Sequence, residues 1–315
     1  MNVARLSVFE KNRADGFTLV ELLVVIATVG ILALLLLPAL AGTKPNSQSF
    51  QCLENERQLV LACQMYAEDN NDLLPPNDYP FTTQYTLNSG GATWQSKHRN
   101  WVVGSMSPTC PLDQSDALAS LGKSYLLDPN TVLSPYQTNR AIYHCPADNY
   151  ISPNSHRAHT RSYSMNSAVG TIFASAVQND NTDSLHRNIG APVTGGWLPG
   201  NAFNGSQTTW LTYGRMSSFS RPGPANTFII IEENPFSMND ASIAIPAAAA
   251  PGSTYLIDFP ASYHNAATAI SFADGHVLIH KWQDVRTYTP ANTQGAQNPD
   301  DPDCFYLASI TSALR

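Results

Sequence analysis

Basic side chains are scarce in this sequence, and charged residues of either sign make up only 13% of it. The 315 residues include 17 Lys and Arg against 24 Asp and Glu, which gives a formal net charge of −7. No stretch concentrates Lys or Arg along a strand or helix, so nucleic acid is not expected as a partner. A hydrophobic content of 43% excludes a disordered chain, and the plentiful Asn, Ser, Thr, Gly and Pro are typical of extracytoplasmic strand-and-loop proteins.

The sequence also lacks the short motifs that mark common enzyme classes. It contains no GxSxG elbow, HExxH zinc motif, phosphate-binding loop or dinucleotide fingerprint. His264 and Asp274 still invite a catalytic or metal interpretation. Four further residues could assist them: His276, His280, Glu232 and Glu233. A catalytic or metal site requires these side chains to lie within hydrogen-bond or metal-ligand distance of one another. The simpler interpretation assigns Asp274 to a turn and His264 to a hydrogen bond with a neighbouring loop, so we expect no enzymatic activity.

Cysteines are few and show no CxxC pair or zinc-finger spacing. The five are Cys52, Cys63, Cys110, Cys145 and Cys304. On one continuous helix Cys52 and Cys63 would lie about 16 Å apart, at about 1.5 Å per residue, which is too far for a disulfide. Cys145 stands in the run HCPAD, where no orienting third residue can be identified, so a disulfide is favoured over a nucleophile. Its partner stays open, and Cys110 is one candidate.

A long apolar run occupies the N-terminal region from Phe17 to Leu37, and Glu21 is its only charged residue. At about 1.5 Å per residue this run spans about 30 Å, the thickness of a hydrocarbon core. A secretory signal peptide would be shorter, although small residues at 39–42 offer a cleavage site. A plain membrane anchor fits the length but leaves the glutamate unexplained, because a carboxylate in the bilayer is costly.

The leader KNRADG, followed by FTLVE, resembles the prepilin leader of type IV pilins and type II secretion pseudopilins. This resemblance implies that a prepilin peptidase cuts after Gly16 and methylates the new terminal amine of Phe17. It also implies that Glu21, fifth in the mature chain, pairs with the terminal amine of a neighbouring subunit, which would make a buried carboxylate tolerable. Pro38 stands where helices of this family commonly bend.

Further segments resemble the pilin-like proteins of planctomycete and verrucomicrobial bacteria. They include CLEN and RQL within 52–59, YAEDNND at 66–72, HCPAD at 144–148 and SYSMN at 162–166. The C-terminal feature of that group is a histidine, nine residues and then AspGly, here His264, Asp274 and Gly275. One departure is AGTKPNSQSF, which replaces the usual basic, Ala-rich continuation and puts the continuity of the helix near 42–50 in doubt.

Strand patterns occupy the C-terminal half. Candidate strands are 141–146, 161–166, 227–233 and 253–259. The AspGly pair in ATAISFADGHVLIHKW predicts a two-residue type I′ hairpin turn. That register pairs Ala273 with His276, Phe272 with Val277 and Ile270 with Ile279. Ile270, Phe272, Val277 and Ile279 would then form one apolar face, opposite Ser271, His276, Leu278 and His280.

An acidic loop, NPDDPD at 298–303, is a candidate calcium site. Major pseudopilins bind calcium in a C-terminal loop, so the resemblance makes Asp300, Asp301 and Asp303 candidate ligands, and oxygen donors suit calcium. The spacing is not that of an EF-hand, and a solvated acidic loop is the simpler interpretation. No other cofactor is expected.

Together these features predict an α+β, pilin-like protein with a long N-terminal helix against an antiparallel sheet carrying large loop insertions. The expected parts are a leader at 1–16, a transmembrane and assembly helix at 17–40, a head-packing helix at 41–72 and a β-rich head at 73–315, with the histidine to AspGly region at 264–275. The resemblance implies a filament subunit whose partners are prepilin peptidase, other pilin-like subunits, and an inner-membrane platform with its ATPase. The alternative is a carbohydrate- or ligand-binding module that uses a pilin-type membrane anchor.

Overall fold

The computed structural model describes residues 18–77, 100–102, 131–153, 156, 158–172, 190–202, 205, 207–289 and 300–315, without the side chains of 33–47. The predicted leader, with Gly16, and Phe17 lie outside these residues, as does Cys110. The chain divides into two compact units, Met1–Lys44 and Pro45–Arg315. The fold is α+β, with one long helix, one five-stranded sheet and two short C-terminal helices.

Helix α1 spans Leu19–Asp69 and begins with a capping box. The Thr18 backbone N–H and hydroxyl both donate to Oε2 of Glu21, at 2.9 and 2.7 Å, and the Glu21 N–H donates back to the Thr18 hydroxyl at 3.3 Å. A threonine followed three residues later by glutamate satisfies otherwise unpaired donors at a helix start. Glu21 therefore has a local structural role in addition to the one implied by the family resemblance.

The first part of α1 is apolar and exposed. Every side chain from Thr18 to Leu32 is exposed, including nine valine, leucine and isoleucine residues with half or more of their surface free: Leu19, Val20, Leu22, Leu23, Val24, Ile26, Val29, Ile31 and Leu32. An apolar surface of this kind marks a site of interaction with protein or lipid. Among the described residues, no helix is long and apolar enough to cross a membrane.

Helix α1 continues without interruption through Pro38 and through residues 42–50. The doubt about helix continuity in that region was therefore misplaced. A proline removes one backbone donor and bends a helix without necessarily ending it. The side chains at 33–47 are not described, and the bend at Pro38 stays a prediction.

The sheet contains five strands in the order β3-β1-β2-β4-β5. Their bounds are β1 Tyr163–Asn166, β2 Phe228–Glu232, β3 Ser242–Ile243, β4 Ala267–Phe272 and β5 Val277–Lys281. The expected antiparallel sheet is wrong in one respect, because β3 pairs with β1 in parallel. The other neighbours are antiparallel. Strands were correctly predicted within 161–166 and 227–233.

Two candidate strands do not form. Within 141–146 the chain makes a 3-10 helix, Arg140–Tyr143, because the Asn139 side chain accepts the N–H of Ala141 at 3.1 Å and caps it. Within 253–259 the chain is irregular, and the Asp258 carboxylate accepts the N–H of Ala244 at 2.7 Å. Short polar side chains that bond nearby or facing backbone groups compete with a strand ladder, and apolar patterning does not reveal them.

The hairpin between β4 and β5 is shifted by one residue from its predicted register. Ser271 pairs with Val277, and Ile270 pairs with Leu278. The loop contains three residues, since the Phe272 N–H donates to the His276 carbonyl at 3.0 Å and the Gly275 N–H to the Phe272 carbonyl at 2.9 Å. Gly275 has φ +92, whereas Asp274 does not take a positive φ. The type I′ prediction is therefore wrong, and the loop is a type I turn followed by a glycine bulge.

This shift moves the apolar residues of β5 to the opposite face, because side chains alternate along a strand. Ile270 and Phe272 pack with Leu278, whereas Ile279 packs with Ala269 on the side of α1. Val277 shares the face of Ile279. The predicted four-residue apolar face therefore does not exist as one surface.

The sheet is covered on both faces. On one face α1 places a stripe of buried residues, Cys52, Leu59, Val60 and Cys63, against the middle strands. Three of these, Cys52, Leu59 and Cys63, recur at helical spacing, with Tyr66 half-buried beside them. The other face is covered by α3, Pro302–Thr311, through Leu307 and Ile310. A short helix, α2, Val285–Tyr288, precedes α3.

Replacing Gly275 with alanine is expected to destabilise the protein by about 1–2 kcal/mol, the usual cost of the left-handed backbone for a residue with a Cβ. The added Cβ would also lie 3.2 Å from Nε2 of Gln64 on α1. Denaturant unfolding of the purified chain measures the change. Gly275→Asn is the control and should lose less, because asparagine adopts this conformation more readily. Equal stability of the alanine variant and the wild type would contradict the assigned turn.

Candidate functional site

Four buried side chains from four separate segments meet between α1 and the sheet. Cys52 lies on α1, Cys145 follows the 3-10 helix, Glu232 ends β2 and His264 precedes β4. Their ligand atoms all lie within 4.8 Å of one another. We call Cys52, Cys145, Glu232 and His264 the buried cluster.

Cys52 and Cys145 form a disulfide with a Cα–Cα separation of 5.5 Å, within the usual range. The prediction that Cys145 makes a disulfide is confirmed, and its partner is Cys52 rather than Cys110. The bond joins α1 to the head across 93 residues of sequence. Cys63 is buried outside this bond, and its burial raises its thiol pKa to about 12.

His264 makes three polar contacts. Its Nε2 lies 3.0 Å from Oε1 of Glu232 and 3.5 Å from Sγ of Cys145. Its Nδ1 lies 3.1 Å from the hydroxyl of Ser49 on α1. The His264 and Glu232 side chains are 2% and 0% exposed, so their interaction is shielded from solvent. His264 thus connects α1, β2 and the segment before β4, which is more than the single loop contact expected from the sequence.

Glu232 is held by the neighbouring strand as well as by the histidine. Its Oε2 accepts the Ala269 N–H at 2.9 Å and the Thr268 hydroxyl at 3.2 Å. These bonds fix the carboxylate and compensate in part for its burial.

Glu56 lies one helical turn after Cys52 and is fully buried. Neither of its carboxylate oxygens has a hydrogen-bond partner within standard distance among the described residues. Burial, followed by repulsion from Glu232, raises its pKa well above the usual value, and the nearby Ser271 hydroxyl opposes this rise. Sequence patterns do not single out this residue, apart from its place on the buried side of α1.

The other residues proposed from the sequence do not join the buried cluster. Asp274 lies beyond the six-residue strand β4, about 20 Å from His264 at about 3.3 Å per residue. It contacts His276 at 2.6 Å in the turn. The histidine to AspGly feature therefore spans one strand, with His264 in the buried cluster at one end and the AspGly pair in the hairpin turn at the other.

The side chains of His280 and Glu233 also contact residues outside the buried cluster. His280 stacks on Tyr306 with ring centroids 4.1 Å apart. Glu233 accepts the Ser237 hydroxyl at 3.1 Å. All four members of the buried cluster are enclosed, and the arrangement suits a structural crosslink.

The acidic residues considered for calcium make bonds within the fold. Asp301 caps α3, and its Oδ1 accepts the N–H groups of Asp303 and Cys304 at 2.9 and 3.2 Å. Asp303 accepts the N–H groups of Gln283 and Asp284 at 2.6 and 2.8 Å. Asp300 is exposed. Calcium binding in this loop stays a prediction, while helix capping by Asp301 and the backbone hydrogen bonds accepted by Asp303 already provide a reason for two of the three carboxylates.

The N-terminal segment matches a known protein-family model. Residues 11–37 match the family model described as the prokaryotic N-terminal methylation motif, a range that includes Gly16, Phe17 and Glu21. No solved structure gives a significant match.

Three curated relatives are each described as type II secretion system core protein G. The protein of Aeromonas hydrophila is 40% identical over 75 residues, which cover 24% of this chain and 48% of the relative. The protein of Pectobacterium carotovorum subsp. carotovorum is 39% identical over 72 residues, covering 23% and 42%. The Escherichia coli (strain K12) protein is 38% identical over 73 residues, covering 23% and 46%. The chain thus spans less than half the length of each, and the resemblance to type II secretion pseudopilins inferred from the sequence is confirmed.

Proposed function

We propose that the protein is a filament subunit, because its N-terminal segment matches the prokaryotic N-terminal methylation motif and is similar to type II secretion system core protein G. It is cleaved after Gly16, methylated on Phe17 and assembled into a type II secretion pseudopilus or a type IV pilus-like filament. The observation that carries this proposal is the methylation motif at 11–37 on a chain similar to core protein G. The head, which lies beyond the motif, would distinguish this subunit from its relatives.

The exposed apolar surface of α1 supports assembly. Side chains from Leu19 to Leu32 contact no other part of the described chain closely enough to be buried. Such a surface is stable in a bilayer before assembly and against neighbouring helices afterwards. Glu21 lies on this apolar helix, where a carboxylate is costly unless a cation meets it. The terminal amine of a neighbouring subunit is the cation that we propose.

The proposed location follows from this processing. Before cleavage the N-terminus is cytoplasmic, the helix crosses the inner membrane once, and the head is periplasmic. A platform protein and an ATPase would then move the subunit into a filament that ends in the periplasm or at the cell surface. Prepilin peptidase and other pilin-like subunits are the partners this route requires.

Substitution at the cleavage glycine tests the proposed processing. Coexpression with a prepilin peptidase should convert the wild type to a chain beginning at Phe17, whereas Gly16→Val should remain uncleaved because a branched side chain occupies the position before the cut. Mass spectrometry distinguishes the two forms. Gly30→Ala is the matched control and should be cleaved like the wild type, since an added Cβ at Gly30 meets no atom within 4 Å. Cleavage of the valine variant at the same bond would contradict the assignment.

A further inference from the structure

The buried cluster contains a set of donors that also suits a metal ion. We propose that the reduced form of this protein binds one zinc ion through the four side chains of the buried cluster. The ligands would be the sulfurs of Cys52 and Cys145, Nε2 of His264 and Oε1 of Glu232. The disulfide and the zinc ion would then be alternative crosslinks between α1 and the head. This proposal concerns the compact unit Pro45–Arg315 and does not depend on filament assembly.

The donor types match the preferences of zinc. Structural zinc sites are four-coordinate, and zinc in proteins is bound by thiolates, imidazole nitrogens and carboxylate oxygens. Here the four come from segments separated in sequence and already held by the fold, so binding would require little rearrangement. All four residues are buried, as expected of a closed structural site rather than a catalytic one with an open position.

The distances among the donors are also suitable. With zinc about 2.0–2.3 Å from each ligand atom, neighbouring donors in a tetrahedron lie about 3.2–3.8 Å apart. Nε2 of His264 lies 3.5 Å from Sγ of Cys145 and 3.0 Å from Oε1 of Glu232. The whole set falls within 4.8 Å. Opening of the sulfur–sulfur bond would let the two sulfurs separate to the required spacing.

The surroundings of the donors would orient them. Metal-bound histidines usually donate their other ring N–H to a fixed acceptor, and Nδ1 of His264 faces the Ser49 hydroxyl at 3.1 Å. Oε2 of Glu232 is fixed by the Ala269 N–H, which leaves Oε1 directed at the cluster.

The disulfide is replaced by the zinc crosslink in two steps. A dithiol reductant supplies two electrons and two protons, the Cys52–Cys145 bond breaks into two thiols, and the reductant becomes a disulfide. Zinc then displaces the two thiol protons to solvent, and each sulfur becomes a thiolate ligand. In the return step a disulfide oxidant takes two electrons from the two thiolates and two protons from solvent, becoming a dithiol, while the Cys52–Cys145 bond re-forms and the zinc ion is released.

Cobalt binding by the full chain tests the proposal, because cobalt(II) reports tetrahedral thiolate coordination by its visible absorption. The protein is purified anaerobically with a water-soluble phosphine so that the disulfide never forms, and Co²⁺ is then titrated. We expect saturation at one ion per chain, displacement of Co²⁺ by Zn²⁺, and no binding by the oxidised chain. His264→Gln and Glu232→Gln should each weaken binding at least tenfold, and Ser49→Ala should weaken it less.

Cys63→Ala is the matched control, since it removes a buried thiol outside the buried cluster and should leave the cobalt spectrum unchanged. Circular dichroism checks that each variant is folded. The proposal is overturned if the reduced wild type shows no saturable tetrahedral absorption, or if folded His264→Gln and Glu232→Gln variants bind Co²⁺ as the wild type does. The first of these two results is obtained with the wild type, so the proposal can be tested even if a variant misfolds.

Discussion

Glu21→Gln is expected to reduce incorporation of the subunit into filaments by about a hundredfold or more. Glutamine can replace glutamate in a capping box, so the helix start at Thr18 is retained while the charge is lost. The terminal amine of the neighbouring subunit would then be buried without a counter-ion, at a cost of about 3–5 kcal/mol. Each 1.4 kcal/mol corresponds to about tenfold in an equilibrium constant. Recovery of the subunit in sheared filaments measures the effect.

Thr18→Ala is the matched control for this prediction. It removes the hydroxyl that bonds Glu21 but keeps the carboxylate, so it should weaken the helix start by only about 1 kcal/mol and still permit assembly. If Glu21→Gln assembles normally and Thr18→Ala does not, Glu21 acts as a cap and not as a counter-ion. Normal assembly of both variants would favour the alternative in which the N-terminal helix serves only as an anchor for a binding module.

Removal of the disulfide is expected to have the largest effect on the stability of the head. The Cys52–Cys145 bond closes a loop of 93 residues, and chain-entropy estimates give about 4–5 kcal/mol for a loop of that size. The Cys52→Ala, Cys145→Ala double variant should therefore unfold at much lower denaturant concentration than the oxidised wild type. Equilibrium unfolding without added metal measures the difference.

Cys63→Ala is the control for loss of a buried sulfur from the same helix. It should cost about 1 kcal/mol, because it removes a small buried group and no crosslink. A double variant that loses no more than this control would show that the crosslink is not a main determinant of stability. Reduction of the wild type without metal should reproduce most of the loss seen in the double variant.

The sequence predicted features that depend on local patterns and missed those that depend on distant partners. The buried stripe of α1 was predictable because Cys52, Leu59 and Cys63 recur at helical spacing. The pairing of Cys52 with Cys145 was not, because 93 residues separate them and each cysteine had several candidate partners. His264 was identified as a residue of interest, but its contact with Glu232 arises only when β2 and β4 become neighbours in the sheet.

The hairpin shows that a one-residue difference in loop length moves the side chains of a strand to the opposite face of the sheet. An AspGly pair fits both a two-residue turn and a three-residue loop ending in a glycine bulge. The choice depends on which register buries more apolar surface on both faces, and the expected pattern assumed one buried face. Here α1 and α3 cover opposite faces, so Ile279 and Leu278 are both accommodated by the observed register.

Intact-mass and N-terminal peptide analysis of the protein from its native membrane tests the proposed function most directly. Processing as a pilin-like subunit predicts a chain that begins at Phe17 and carries one additional methyl group on its terminal amine. A chain that begins at Met1 would show that the motif at 11–37 is not processed. A chain that begins after residue 40 would contradict the proposal altogether, because the helix that bears Glu21 would be absent from the mature protein.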